Sequence, residues 1–224
     1  MLLYAAAAGG LLAFVAIANA IRKPATQEVD RRILLATRSP DDVSDPMGPA
    51  LVDQGVHDLT ALGSAVVVTT VTAVSSLYFL FRGQKRAAAV MFVSVAGGAA
   101  VVGALKLAFR RPDPGLVPNA VMVDSTSFPS GHSMMSIVTY LTLAGLIAQN
   151  RPGSRAKLLL VGSAATVSLL VGLSRIYLGI HWPTDVLGGW ALGGSWTAAS
   201  WAVATELARR DGLTRQLARR LARR

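Results

Sequence analysis

The 224-residue chain contains no cysteine, so disulfide bonds and thiol catalysis are excluded. Charged residues are also scarce. They make up 15% of the sequence, whereas 52% is hydrophobic and the mean hydropathy is +0.48. This balance is too apolar for an ordinary soluble domain and is typical of a protein with several membrane spans. No Pro- or Ser-rich linker divides the chain, so we predict a single domain over residues 1–224.

Long apolar stretches are what the sequence has in abundance, and six are long enough to cross about 30 Å of hydrocarbon. They are Leu2–Ile21, Ala61–Phe81, Ala87–Phe109, Ser130–Gln149, Leu158–Leu178 and Val186–Ala204. Residues 18–20 resemble a signal-peptidase site, but no basic side chain precedes the first stretch, which favours a retained helix. Gly189 and Gly193, four residues apart, predict a close helix contact. The sequence therefore predicts an all-α bundle of six membrane-spanning helices.

The net charge of +10 is unevenly distributed. Seven arginines lie in the tail, residues 207–224, which favours a segment at the membrane surface over a nucleic-acid site. With six spans, thirteen of the 22 Lys and Arg but only two of the 12 acids share one side with both termini. Because basic loops stay in the cytoplasm, we predict a plasma-membrane protein with cytoplasmic termini and outer loops 22–60, 110–129 and 175–185.

The first outer loop is long for a connector. From Gln27 to Arg38, apolar Val29 and Ile33 alternate with charged residues such as Asp30, which predicts an amphipathic helix lying on the membrane. The prolines that follow, Pro40, Pro46 and Pro49, predict irregular structure. His57 sits in the same loop beside Asp58, where a solvated or helix-capping role is expected.

Three clusters of polar residues fall at the outer ends of predicted spans. They are Lys106–Pro114, Phe128–His132 and Ser174–Asp185. Ionisable groups near a membrane face are costly, so their clustering is informative. Because three chain-distant clusters share one side of the membrane, we expect them to form one site.

The second cluster has the features of an anion site. Pro129 followed by Ser130 and Gly131 can open a helix, whose first-turn N–H groups bind anions. Gly131 lets a phosphate approach closely, and His132 is placed to give a proton to a leaving oxygen.

The third cluster has the features of a nucleophile and its orienting acid. Pro183 is expected in the first turn of the last helix, which puts Asp185 one turn from His181. The carboxylate could then accept the Nδ1 proton and leave Nε2 as a nucleophile. Arg175 and Lys106 could snorkel at membrane ends, but beside two histidines they are better interpreted as clamps on phosphate oxygens.

With these motifs in place, the sequence resembles the type 2 phosphatidic acid phosphatases, or lipid phosphate phosphatases, which are related to vanadium haloperoxidases. Pro-Ser-Gly-His at 129–132 and Ser-Arg-x5-His-x3-Asp at 174–185 match the second and third family motifs completely. The resemblance implies that His181 is the nucleophile, Asp185 orients it and His132 is the general acid. It also implies that phosphate is held by Ser130, Gly131, Arg175 and Lys106.

The first family motif is irregular. The family has lysine, six residues and then Arg-Pro, whereas Asp113 and Pro114 stand at that spacing after Lys106. Arg111 lies only five positions after the lysine, about 140° around an ideal helix. Either the helix ends early and the loop brings Arg111 to the phosphate, which we favour, or this contact is missing. Arg110 is interpreted as a membrane-end cation.

These residues favour a metal-independent, cofactor-free phosphatase that acts on a lipid phosphate in the bilayer through a phosphohistidine. An outward-facing site suits polyprenyl diphosphates such as undecaprenyl diphosphate. Phosphatidate, phosphatidylglycerophosphate and lipid A phosphate are alternatives within the same chemistry. A lipid phosphotransferase and a non-catalytic pseudoenzyme also stay open, and a vanadium haloperoxidase is a more distant rival. No nucleic-acid partner is expected, and the oligomeric state is left open.

Overall fold

The computed structural model describes residues 1–116, 126–149 and 153–221, with side chains as far as Arg209. These residues form eight α-helices, which confirms the predicted all-α class. The helices are α1 (Leu2–Ala20), α2 (Pro24–Leu35), α3 (Ala50–Ala61), α4 (Ala65–Phe81), α5 (Lys85–Phe109), α6 (Gly131–Gln149), α7 (Ser154–Tyr177) and α8 (Pro183–Leu221). Part of the predicted outer loop 110–129, residues 117–125, lies outside the described residues.

Within the described ranges, four helices are long and apolar enough to cross a membrane: α1, α5, α6 and α7. A fifth span results if α3 and α4, which meet at an angle of 48°, are counted together. Helix α8, which contains the predicted sixth span, is not among them. The count of six spans therefore stays a prediction.

Helix α1 is fixed against α8 by close contacts. A Cβ at Gly10 would lie 2.9 Å from the carbonyl oxygen of Ala191, so the two backbones approach closely there. The Ser195 hydroxyl donates to the carbonyl oxygen of Ala7 at 2.7 Å. Small residues permit this approach, and the Ser195 hydroxyl finds a hydrogen-bond acceptor on the neighbouring helix.

Helices α6 and α8 pack through the two predicted contact glycines. A Cβ at Gly189 would lie 2.7 Å from the carbonyl oxygen of Ser130, and one at Gly193 would lie 2.9 Å from that of Met134. Their close-contact prediction is confirmed. This packing joins the starts of the two helices, which carry the second and third polar clusters.

The first outer loop contains a helix on each side of its proline-rich stretch. Residues 36–49, which hold Pro40, Pro46 and Pro49, lie outside the helices, as predicted, whereas α3, for which Pro49 is the extended N-cap, was not predicted. In the segment predicted to be amphipathic, Val29 and Ile33 are exposed, but Asp30 and Arg38 are buried. The reason is tertiary contact, since Asp30 pairs with Arg111 and Arg38 donates to the carbonyl oxygen of Tyr177. That α2 lies on the membrane stays a prediction.

Candidate active site

His181 and Asp185 form a buried pair between α7 and α8. His181 lies in the connecting turn with 2% of its surface exposed, and Asp185 is fully buried. Pro183 is the first residue of α8, as predicted, and places the carboxylate one turn beyond the imidazole. Nδ1 of His181 lies 3.5 Å from Oδ2 of Asp185, a long contact for a hydrogen bond. The same oxygen accepts the Trp182 N–H at 3.0 Å, which fixes its position.

The environment of His181 favours a neutral imidazole. Burial lowers its pKa, and the hydrogen bond to Asp185 opposes this effect. The positive charges of Arg175 and Lys106 lower the pKa further. A neutral ring that donates Nδ1–H to a carboxylate carries its lone pair on Nε2, which makes that atom the nucleophile candidate.

The start of α6 presents an open surface beside this pair. The Ser130 hydroxyl accepts the Ser133 N–H at 3.4 Å and caps the helix. The Ser130 N–H donates to the carbonyl oxygen of Asp185 at 3.0 Å, which ties α6 to α8. A Cβ at Gly131 would meet no atom within 4 Å, so open space faces this position. Ser130 is fully buried, whereas Gly131 is partly exposed and can face a bound phosphate.

Cations and imidazoles from all three clusters converge around His132. Its imidazole interacts electrostatically with Arg175, His181 and Lys106. Arg175 is itself buried, and its Nη1 donates to the Thr60 hydroxyl at 3.3 Å. The Nε of Arg175 is buried without a hydrogen-bond partner in the part of the chain that the structure describes. A guanidinium with an unused donor beside two histidines can bind an anion.

Arg111 reaches the site because helix α5 ends early, which is the first part of the favoured alternative. Helix α5 ends at Phe109, because Arg110 adopts a left-handed conformation with φ of 47°. The chain then directs Arg111 inward, where Nη1 lies 2.6 Å from Oδ1 of Asp185 and Nη2 lies 2.8 Å from Oδ2 of Asp30. Asp113 instead accepts the N–H of Gly115 at 3.1 Å. The early helix end is confirmed, whereas phosphate binding by Arg111 stays a prediction.

An apolar cavity of about 430 Å³ lies between α4, α5 and α6. Its walls are mainly Val, Ala, Thr and Phe side chains from α4 and α5, and Gly131, His132 and Met135 of α6 also line it. A second cavity, of about 580 Å³, lies between α2 and the chain around Arg111, and neither His132 nor His181 lines it. The first cavity therefore brings apolar walls and a histidine of the polar cluster together.

The family model described as the PAP2 superfamily matches residues 87–209. These residues make up more than half of the chain and include all three polar clusters. The chain belongs to the PAP2 superfamily. Together with its apolar helices, this membership makes it a multi-pass membrane protein.

Individual members of the PAP2 superfamily are similar to parts or to most of the chain. Phosphatidylglycerophosphatase B of Bacillus subtilis is 42% identical over 90 residues, which are 40% of this chain and 44% of that protein. Undecaprenyl-diphosphatase of Sulfolobus acidocaldarius is 40% identical over 70 residues, 31% of this chain and 29% of that protein. The chain thus spans less than half the length of these relatives. The crystal structure of a transmembrane PAP2-type phosphatidylglycerolphosphate phosphatase from Bacillus subtilis superposes with a TM-score of 0.81 at 27% identity, covering 90% of this chain and 96% of that one.

Sequence reasoning missed several residues of this PAP2 site. Thr60 contacts Arg175, and a Cβ at Gly63 would lie 3.1 Å from the His132 side chain, so the break between α3 and α4 borders the site. Arg38, 2% exposed, donates to the carbonyl oxygen of Tyr177 at the end of α7. Two further contact residues are Asp30 and Thr184. Asp30, Leu34 and Arg38 are spaced four apart, so a helical stripe was the available signal.

Proposed function

We propose that the chain is a membrane lipid phosphatase that uses His181 as a phosphate-accepting nucleophile. The observation that carries the proposal is the apolar cavity between α4 and α5 that Gly131 and His132 of α6 also line. A substrate with an apolar chain and a phosphate at one end suits such a cavity, because each part meets a matching surface. Candidate substrates are lipid monophosphates and polyprenyl diphosphates such as undecaprenyl diphosphate, taken from the extracytoplasmic leaflet.

In the first step, Nε2 of His181 attacks the phosphorus of the lipid. A P–N bond forms while the P–O bond to the lipid breaks, and His132 gives its proton to the departing oxygen. Asp185 accepts the Nδ1 hydrogen bond and stabilises the positive charge that the ring gains. The 3.5 Å contact is expected to shorten as that charge develops, since catalytic hydrogen bonds often tighten in the complex.

In the second step, water attacks the phosphorus and gives its proton to His132. The P–N bond then breaks, inorganic phosphate leaves and His181 returns to its neutral form. Arg175 and Lys106 hold the phosphate oxygens in both steps, with the N–H groups at the start of α6 and the open space at Gly131. In this scheme, two side-chain cations supply the charge stabilisation of the in-line transfer, with no requirement for metal or cofactor.

The named relatives support lipid substrates without selecting one. One is named for phosphatidylglycerophosphate and the other for undecaprenyl diphosphate. Both molecules join phosphate to hydrocarbon, a combination that suits an apolar cavity lined by a histidine. The predicted outward orientation favours a polyprenyl diphosphate for this chain.

The test is phosphate release by the purified protein in detergent. The panel contains undecaprenyl diphosphate, phosphatidylglycerophosphate, phosphatidate and lipid A, with a soluble phosphomonoester as the comparison. We expect one or more lipids to be hydrolysed, and His181→Ala to abolish release. His57→Ala is the matched control, because His57 is exposed on α3 and should leave the rate unchanged. Full turnover by folded His181→Ala would contradict the proposal, as would a preference for the soluble ester.

A further inference from the structure

We propose that Asp30 and Arg111 are positioning residues that hold Asp185 in place for His181. This inference rests on the proposed function, because it assumes that Asp185 orients a nucleophilic histidine. The observation behind it is a continuous buried chain of charged groups, from α2 through the segment after α5 to the start of α8.

Asp30 is a buried carboxylate whose two oxygens are both hydrogen-bonded. Its exposed fraction is 1%, although it lies on a helix whose other charged residues face outward. Oδ1 accepts the Thr184 N–H at 2.9 Å, and Oδ2 accepts both the Thr184 hydroxyl at 2.5 Å and Arg111 Nη2 at 2.8 Å. A buried carboxylate is costly unless its oxygens are bonded in this way. Asp30 thereby caps α8 one residue before Asp185.

Arg111 joins the two carboxylates through different nitrogens. Nη2 binds Asp30 and Nη1 binds Oδ1 of Asp185, so the planar fork sets the relative position of both. The side chain of Arg111 is only 11% exposed, and its guanidinium also lies 5.5 Å from the Trp182 ring centre. With both terminal nitrogens on carboxylates, the guanidinium is oriented toward protein partners. These contacts favour positioning over the phosphate clamp that the sequence suggested.

The two oxygens of Asp185 are divided between its partners. Oδ1 faces Arg111, and Oδ2 faces His181 and the Trp182 N–H. With all three charged groups ionised, Asp30, Arg111 and Asp185 carry one net negative charge beside the imidazole. Without Asp30, the ion pair of Arg111 and Asp185 that remains would be neutral. The Asp185 carboxylate, which already binds Arg111 through Oδ1, would be free to turn further toward the guanidinium and away from His181. His181 would then lose both orientation and charge stabilisation during P–N bond formation.

Asp30→Asn tests this inference directly. The amide oxygen can still accept the Thr184 N–H in the place of Oδ1, but the NH2 group in the place of Oδ2 cannot accept from Arg111 or from the Thr184 hydroxyl. With enzyme in saturating excess over the ³²P-labelled lipid phosphate that the wild type hydrolyses fastest, we expect the single-turnover rate constant to fall by about 10- to 100-fold. A variant that only folds less well contains a smaller fraction of folded enzyme. Its single-turnover rate constant is unchanged as long as the folded enzyme stays in saturating excess over the lipid.

Two further variants keep the test decisive. Glu28→Gln, on the same helix but in an exposed pair with Arg32, should retain the wild-type rate constant. If Asp30→Asn does not fold, Arg111→Lys serves instead, because an ammonium cannot bridge both carboxylates. We expect a comparable fall with an unchanged KM.

The outcomes separate this inference from the proposed function. An Asp30→Asn protein that turns over like Glu28→Gln overturns the inference, as does full activity of Arg111→Lys. A silent Asp30→Asn combined with a raised KM in Arg111→Lys would assign Arg111 to the phosphate instead. If His181→Ala keeps its turnover, the proposed function itself fails, whatever Asp30 does.

Discussion

Gly63 lies in the break between α3 and α4, and a methyl group there should disturb both the fold and the site. A Cβ at this position would lie 2.5 Å from Cγ1 of Val171 and 3.1 Å from the Cβ and Cδ2 atoms of His132. Val171 has no exposed surface, and a β-branched side chain has few alternative rotamers. We therefore expect the helices to shift in Gly63→Ala rather than the side chain to move aside.

The expected cost of Gly63→Ala is that of overpacking a closed core, about 1–3 kcal/mol. For a chain of this size, each kcal/mol lowers Tm by about 2–4 °C, which thermal unfolding in detergent can resolve. Displacement of His132 should also lower kcat/KM by about tenfold or more, since small misplacements of catalytic groups are costly.

Gly55→Ala is the matched control for Gly63→Ala. Gly55 lies inside α3, where a Cβ would meet nothing within 4 Å, so alanine should raise stability by up to about 1 kcal/mol. Adding Val171→Ala to Gly63→Ala should relieve the clash, giving a total loss smaller than the sum of the two single losses. The reasoning fails if Gly63→Ala unfolds at the wild-type temperature with full activity, or if the two losses simply add.

Three other predictions concern the chemistry and its place in the membrane. Asp185→Asn should lower kcat by about 10⁴-fold and leave a measurable residual rate, because the nucleophile survives without its carboxylate; retention of full kcat would contradict the role of Asp185. Vanadate should inhibit phosphate release by mimicking five-coordinate phosphorus, whereas EDTA should not, and EDTA inhibition reversed by a divalent metal would point to a different mechanism. The topology can be tested in intact cells, or in spheroplasts where an outer membrane intervenes. Asp41→Cys should react there with a membrane-impermeant thiol reagent, whereas Ser154→Cys should react only after lysis. The opposite labelling pattern would invert the topology. The chain has no native cysteine to add background labelling.

The local parts of the site could be predicted because they depend on short spacings. His181 and Asp185 are four positions apart, and a proline between them marks where the helix begins. Helix geometry then brings the carboxylate beneath the ring, as the 3.5 Å contact confirms. The early end of α5 was also open to prediction, since Pro112 cannot continue a regular helix.

The distant parts of the site could not be predicted, because nothing local encodes them. Asp30 and Arg111 are 81 positions apart, and their pairing depends on how α2 packs against α8. A charged residue on an amphipathic pattern is usually solvated, so nothing in the sequence distinguished Asp30 from its charged neighbours. Pro49 was interpreted as a breaker, although an extended proline can also precede a helix, as it does at α3. For Asp30, pairing with a distant arginine overrode the local pattern. For Pro49, the local sequence is compatible with either a break or the start of a helix.

The central claim is that His181 carries the phosphate, and trapping the intermediate tests it most directly. The protein is mixed with ³²P-labelled lipid phosphate, quenched in alkali within milliseconds, digested and examined by mass spectrometry. The account predicts an acid-labile, alkali-stable label on the peptide that contains His181, with no label in His181→Ala. Label on another residue would contradict it. So would phosphate release by the wild type without protein-bound label at any quench time, together with full release by His181→Ala.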